Sequence, residues 1–425
     1  MTWTLGVLPM ALLLLGFPIF IVLLAAVSIT LVLLMEVPLV VLHQNMFGAI
    51  DSVALLAVPF FIYAGELMGS SSVARRLVDF VGSGVARVPG NLGVTTVGAA
   101  TIFGAISGAS AAAVATIGKV MLPSLRQKGY PEHFSAGLIT AVGAIDIIIP
   151  PSIPMILYGM AASESVPRLY AAGILPGLLI GGLLALYVIW VARRLGIDPG
   201  RAFDLRDLWA RAKRGLWALG APVIILGGIY GGVFSPTESA AVACIYSALV
   251  TRFIYRELSW RDVAQAASRT AFFTAQVLII VACASIFAWL LTVNQLPALV
   301  VGWIQSLNVP TWGLLLCINL LLLAVGCFLD PLSAILLLSP LLVPIAVGAG
   351  GNPIHFGIIF TVNLAIGLFT PPFGINIFVA QTALGMNVRV IYQGILPFLV
   401  LYLIALGLIT FVPEISLFSM RLFMD

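Results

Sequence analysis

Apolar residues fill most of this chain, and its polar positions cluster between runs of about the length of a membrane crossing, roughly 20 residues. Residues 3–35 form one apolar run, too long for one crossing and interrupted at Gly16-Phe17-Pro18, which predicts two short spans with Pro18 near the start of the second. A third span is expected over 51–69. At 71–88, Val73, Leu77, Phe80, Val81 and Val85 oppose Arg75, Arg76, Asp79 and Arg87, the pattern of an amphipathic helix lying in the interface. Residues 91–107 and 109–125 are each short for a crossing and meet at a Ser/Gly-rich join, which suits a re-entrant hairpin, hairpin one. A span over 133–163, broken by Pro150-Pro151, and another over 168–192 follow. Tandem prolines remove two helical N–H donors, so the helix opens there. Opened backbone at membrane depth is tolerated only where protein buries it or it lines a cavity.

A basic connector at 193–215 carries Arg193, Arg194, Arg201, Arg206, Arg211, Lys213 and Arg214, and after it the pattern restarts. At a shift of 221 residues Pro89 falls on Pro310, Pro123 on Pro344, Pro150-Pro151 on Pro371-Pro372 and Pro176 on Pro397. Five of the eight prolines between 89 and 176 match, where 25 prolines in 425 residues give about half of one match by chance. The chain therefore reads as a first repeat (1–195), a connector (196–215) and a second repeat (216–425). The second repeat is expected to have spans at 216–233, 236–254, 271–292, 356–383 and 392–413, an interfacial segment at 296–309, and hairpin two at about 312–346 with its turn at 328–333. Five crossings and one hairpin per repeat make the copies inverted. The fold class is an all-α polytopic membrane protein with an inverted internal repeat.

Composition agrees: 61% of residues are hydrophobic and only 8% charged, far from a soluble domain. With the connector cytoplasmic, 17 of the 20 Lys and Arg lie inside, and the stretches 36–50, 293–311 and 346–355, expected as outside loops, hold none. Both termini are then periplasmic. The net charge of +4 is explained by this topology, so no nucleic-acid partner is expected; the partner is the lipid bilayer. The N-terminus lacks a basic n-region and a cleavage site and reads as a retained span. Cys244, Cys283, Cys317 and Cys327 lie in apolar runs without metal-site spacing and read as small buried hydrophobes. Gly118-Lys119 lacks the rest of a Walker A pattern, so ATP hydrolysis by that route is excluded.

Opposed hairpins and broken spans are the parts of an alternating-access transporter with a midplane site. Ser107, Gly108, Ser110, Asp330 and Ser333 are the tip candidates for cations and substrate, and Pro150, Pro151, Ser152, Thr370, Pro371, Pro372 and Asn376 line the breaks. Helix N-termini there attract an anion, and carbonyl-bearing C-terminal ends coordinate cations. The plainer reading is small-residue helix packing. Asp146, one turn before Pro150, either helps hold a cation or a substrate hydroxyl or is a structural Asp paired with Ser or Thr. Asp330 caps the returning hairpin helix on the plainer reading, Glu238 opens a helix, and Glu66 and Lys119 pair or snorkel. No catalytic residue and no cofactor beyond sodium is expected. An intramembrane aspartyl protease using Asp146 and Asp330 would want a GxGD setting, which neither has. A self-sufficient ion-coupled anion carrier is the nearer alternative.

The runs SGASAAAVATIGKVMLP and IIIPPSIPMILYG, then GGVFSPTESAAV, FLDPLSAI and LFTPPFGINIFV, resemble the large membrane subunit of tripartite ATP-independent periplasmic (TRAP) transporters, over essentially the whole chain. The resemblance implies a sodium-coupled elevator fold of the ion-transporter superfamily that imports an organic anion such as a carboxylate across the bacterial inner membrane. It also implies a small four-span (four-helix) membrane subunit and a periplasmic substrate-binding protein. Its sodium sites would match Ser107 to Ser110 with the Pro150 turn, and Asp330 to Ser333 with the Thr370 to Asn376 turn. Asp146 departs from the family pattern, which more often has an uncharged small residue there.

Overall fold

In a computed structural model of the chain, residues 3–35, 37–38, 40–197, 200, 202–306 and 310–424 are described, and every regular element among them is a helix. A π-helical turn (Trp3–Val7) leads into α1 (Leu8–Leu14), which folds back on α2 (Ile19–Leu33), with Thr30 Oγ1 donating to Thr4 Oγ1 at 2.9 Å. The break falls where expected: Gly16 takes φ +81° and Pro18 caps α2. The stretch 36–50, expected as a loop, instead contains α3 (Val40–Ile50), bent by 55° against the segment Val53–Gly69 that includes α4 (Ala57–Gly69). Absence of Lys and Arg marks a side of the membrane; it does not argue against helix.

Amphipathic α5 (Val73–Gly84) buries Val73, Ala74 and Leu77 and exposes Arg75 and Asp79, as its periodicity predicts. Hairpin one is α6 (Asn91–Ser107) and α7 (Ser110–Gln127), turning at Gly108 with φ +57°. The first broken span is α8 (Glu132–Val142), a 3₁₀ turn (Gly143–Ile147) and, beyond a cis Pro150–Pro151 bond, α9 (Ile153–Ala161). The long α10 (Val166–Arg194) follows.

The basic connector is shorter than expected. α11 (Leu205–Tyr230) begins within it, Asp204 capping the helix by accepting from Arg206 N at 2.9 Å; Arg201 lies outside the described residues. α12 (Pro236–Leu249) opens with a Ser235/Glu238 capping box, and α13 (Trp260–Val293) opens at a Ser259/Asp262 box well before the expected 271. α14 (Leu296–Ser306) covers the expected interfacial segment as far as 306, and 307–309 lie outside the described residues. Hairpin two is α15 (Thr311–Gly326) and α16 (Pro331–Gly348); the second broken span is α17 (Pro353–Gly367) and α18 (Ile375–Leu384), with a second cis bond at Pro371–Pro372. α19 (Val388–Phe411) and an unforeseen α20 (Glu414–Met424), packed on α10, close the chain.

Among the described residues α10, α11, α13, α16 and α19 are single helices long and apolar enough to cross a membrane, and the α3–α4 pair passes as one bent span. α8 and α17 sit at the centre: every residue from Phe134 to Val142 and from Ile354 to Gly367 is buried. α8 reaches α19 through Gly137 and Gly394, where a Cβ on Gly137 would fall on the Gly394 carbonyl, the close backbone approach that small residues permit in lipid. Of the cysteines read as buried, Cys317 is exposed on α15 and Cys327 half-buried, because α15 has an outward apolar face. Glu66 pairs with Arg269 at 3.0 Å.

Candidate substrate and ion site

The two hairpin tips face each other across a cavity of about 390 Å³. Its walls are mainly helix starts: Pro18 to Phe20 of α2, Gly108 to Ala111 of α7, Ile153 and Pro154 of α9, Asp330 to Ser333 of α16, and Ile375 of α18. The far wall is α13, with Phe273, Gln276, Val277, Ile279 and Ile280. Ser152 caps α9 and Asp330 caps α16, but α2, α7 and α18 have no side-chain cap. Each helix start carries about half a positive elementary charge. Five converging starts make an anion-attracting chamber whose one charged side chain among the described lining residues is Asp330.

Asp330 is the cap that the plainer reading anticipates: its carboxylate accepts from Ser333 N at 3.0 Å and from Ser333 Oγ at 2.5 Å. Gly108, Ser110, Asp330 and Ser333 line the cavity directly. Behind the tip of hairpin one lies a closed niche. Ser107 Oγ donates to Asp146 Oδ2 at 2.8 Å, both residues fully buried, and Asp146 Oδ1 has no hydrogen-bond partner among the described residues. Gly104 makes room for this carboxylate, since a Cβ there would fall on Oδ1 and lie 2.9 Å from Asp146 Cα. Pro150, Pro151 and Ser152 are buried too, and the Pro151 carbonyl packs against Gly108, where a Cβ would come within 2.9 Å of it. The Ser152 hydroxyl donates to the Ile147 carbonyl.

Asn376 joins the two halves. Its Oδ1 accepts from Ser110 Oγ at 2.9 Å and its Nδ2 donates to the Thr140 carbonyl at 3.1 Å. The second break is otherwise unlike the first: Thr370 is half-buried with its hydroxyl donating back to the Ile366 carbonyl at 2.6 Å, and Pro372 is exposed. Thr370, Pro371 and Pro372 therefore stand away from the chamber, whose nearest members from this turn are Leu368 and Ile375. Phe373 packs on Phe328 of hairpin two and Gly367 lies against Gly326, and the second break and its own hairpin together line a smaller cavity of about 250 Å³.

Sequence reasoning missed several polar groups. Gln276 lines the chamber from α13, and a buried amide chain runs behind hairpin two: Asn363 Nδ2 donates to Asn319 Oδ1 at 2.7 Å and Asn319 Nδ2 to Thr410 Oγ1 at 3.0 Å. Each is an amide within an apolar run, a legible signal, but only the fold brings Asn319, Asn363 and Thr410 together.

Fold and chamber define a multi-pass membrane transporter. The Alcanivorax borkumensis YdaH transporter has a similar fold, with a TM-score of 0.62 over 87% of this chain and 86% of that one, at 18% identity. Residues 6–415 match the family described as "Tripartite ATP-independent periplasmic transporter, DctM component", and the chain belongs to that family. It is 40% identical to the C4-dicarboxylate TRAP transporter large permease protein of Pseudomonas aeruginosa over 88% of this chain and 87% of that one. It is 36% identical to the corresponding protein of Rhodobacter capsulatus over 96% of each chain. The 2,3-diketo-L-gulonate TRAP transporter large permease protein of Escherichia coli is 35% identical over 90% of each. These relatives are transporter permease subunits, not enzymes.

Proposed function

We propose that this chain is the sodium-coupled large permease subunit that carries an organic anion, a carboxylate, inward across the bacterial inner membrane. A small four-helix membrane subunit and a periplasmic binding protein that delivers the anion complete the machine. The observation that carries this reading is the chamber: five helix starts around about 390 Å³ with both hairpin tips in its wall. A carboxylate entering it meets converging partial positive charge, which stabilises it, and the Asp330 carboxylate, which repels it. A cation at the tips offsets Asp330, so cation and anion each strengthen the other's binding, and by linkage the effect is reciprocal. The oxygens offered there, from the Ser107 and Ser110 hydroxyls, Asp146, Asp330 and the carbonyls of the opened turns, are those a hard monovalent cation takes.

Movement follows an elevator scheme. The two halves act as inverted repeats, and the hairpins with the broken spans slide as a body along α13, exposing the chamber to each side in turn. The opposed orientation expected for the two hairpins supports this scheme.

The test is uptake of a panel of labelled carboxylates into proteoliposomes holding this chain with its small subunit, with and without an inward sodium gradient and the binding protein. Uptake requiring both sodium and the binding protein is expected. Uptake indifferent to sodium overturns the coupling, and uptake indifferent to the binding protein makes the chain a self-sufficient carrier.

A further inference from the structure

A second cavity, of about 630 Å³, opens along the same seam further along α13, toward its C-terminal end. The two cavities share three helices. On α13 the first takes Phe273 to Ile280 and the second Val281 to Thr292; on α16 the first ends at Ser333 and the second begins at Leu336. Three residues of helix rise about 4.5 Å, so one turn of α16 separates them.

Their polarity is opposite. Where the first cavity is walled mainly by helix starts, the second is walled mainly by helix ends: Gly48 and Ala49 in the last turn of α3, and Met160 and Ala161 at the end of α9, with Ser52, where the segment Val53–Gly69 starts, as the exception. Helix ends carry partial negative charge and free carbonyls. The α16 wall adds more oxygen. Pro340 has no N–H to give to the Leu336 carbonyl, nor Pro344 to the Pro340 carbonyl, so two α-helical acceptors go without their usual donor on a face that includes Leu336, Pro340 and Pro344. Between them Ser339 is fully buried, and its Oγ has no hydrogen-bond partner among the described residues. Ser285 and Thr292 supply further hydroxyl oxygens from α13. No Lys, Arg or His is among the described residues lining the cavity. Asp51 follows directly on α3 and Glu164 closely on α9, against one basic residue, Arg168, in the first turn of α10.

We propose that this second cavity is a holding site for a monovalent cation, with Ser339 Oγ and the carbonyls of Leu336 and Pro340 as its protein ligands. It rests on the reading of the chain as a sodium-coupled transporter and adds to it a station for the ion apart from the tips. An organic anion finds no counter-charge here, because helix ends and proline-freed carbonyls repel it. A cation exchanges part of its water shell for three neutral oxygens and sits roughly one to two helical turns from Ser333 at the tip of hairpin two.

The experiment is the sodium-activation curve of labelled carboxylate uptake in proteoliposomes containing the full chain, its small subunit and the binding protein. Two variants are compared with the natural chain. Ser339→Ala removes the free hydroxyl; Pro340→Ala supplies an N–H that ties up the Leu336 carbonyl while making α16 more regular, so it remains informative if Ser339→Ala fails to fold. Each is expected to raise the half-saturating sodium concentration about fivefold, the effect of losing one neutral oxygen ligand, with uptake recovered at high sodium and the half-saturating carboxylate concentration unchanged. An unchanged sodium half-saturation in both variants overturns the proposal. So does a shift confined to the carboxylate, which would make the cavity an anion station. If the natural chain's uptake ignores sodium, the transport reading itself has failed, an outcome distinct from either.

Discussion

Ser110, the first residue of the returning helix of hairpin one, donates its hydroxyl to Asn376 Oδ1 at 2.9 Å across 266 residues of chain. This one bond ties the hairpin of the first half to the broken span of the second. Asn376 is fully buried and holds α8 as well through the Thr140 carbonyl, so three elements meet at one amide. A tip that changes position when an ion binds beside it must pull the second break with it.

Asn376→Ala leaves the Ser110 hydroxyl and the Thr140 carbonyl unpaired in the interior, each at a cost of about 1–3 kcal/mol. Uptake is expected to fall at least about tenfold, with a lowered melting temperature. Ser110→Ala removes one of the same bonds, so the double variant should lose clearly less than the sum of the two singles. Full additivity in a thermal-unfolding cycle would show that the two side chains act independently.

Gly104 and Asp146 form a second coupled pair. Gly104→Ala drives a methyl into the Asp146 carboxylate and is expected to destabilise by about 1–3 kcal/mol. In an Asp146→Gly background the same substitution should cost less, because the carboxylate is gone and only the main chain of residue 146 still stands in the methyl's path. Equal costs in both backgrounds, read by thermal melting in detergent, would contradict the packing described.

Gly137→Ala is expected to prevent assembly of the native fold altogether. Its methyl meets the Gly394 carbonyl and carbon, which are backbone of the long helix α19 and cannot turn away. Gly407→Ala, on the same α19 but with open space around it, is the control and should express and elute as the natural chain does. A monodisperse, transport-competent Gly137→Ala protein would refute the close α8–α19 crossing.

At the basic face, Glu257 closes the start of α5, accepting from Ser72 N at 2.7 Å and Ser72 Oγ at 2.5 Å and pairing with Arg76 at 3.4 Å. Burial pushes its carboxyl up, but the hydrogen bonds from Ser72 and the Arg76 guanidinium outweigh it and hold the group below the usual 4.5. A carboxyl depressed in the folded state stabilises fully above its unfolded value, and that stabilisation is lost as pH falls through the folded value. The melting-temperature gap between the natural chain and Glu257→Gln should therefore be full at neutral pH and close as pH drops below 4.5. A gap that is flat with pH would mean that the charge contributes nothing.

The breaks and tips are legible in the residues because their causes are local. A proline lacks its N–H wherever it sits, so Pro150-Pro151 and Pro371-Pro372 announce opened helices, and Gly108 between two apolar runs announces a turn. The capping boxes at Ser235/Glu238 and Ser259/Asp262 are equally local; weighting Arg261 and Arg269 as loop charges hides the second and places the start of α13 too late.

By itself the sequence determined that the chain lives in a membrane, where its helices break, and that the breaks recur. Hydrophobicity, missing N–H groups and periodicity are properties of each stretch alone. Only the tertiary structure decided that the first break is buried behind its tip while Pro372 of the second stays exposed, that Asn376 reaches Ser110, and that five helix starts share one chamber while helix ends wall another. Those facts depend on the relative placement of segments hundreds of residues apart. Partial charges at helix ends, unlike hydrophobicity, add up to a site only where the packing points several of them at the same space.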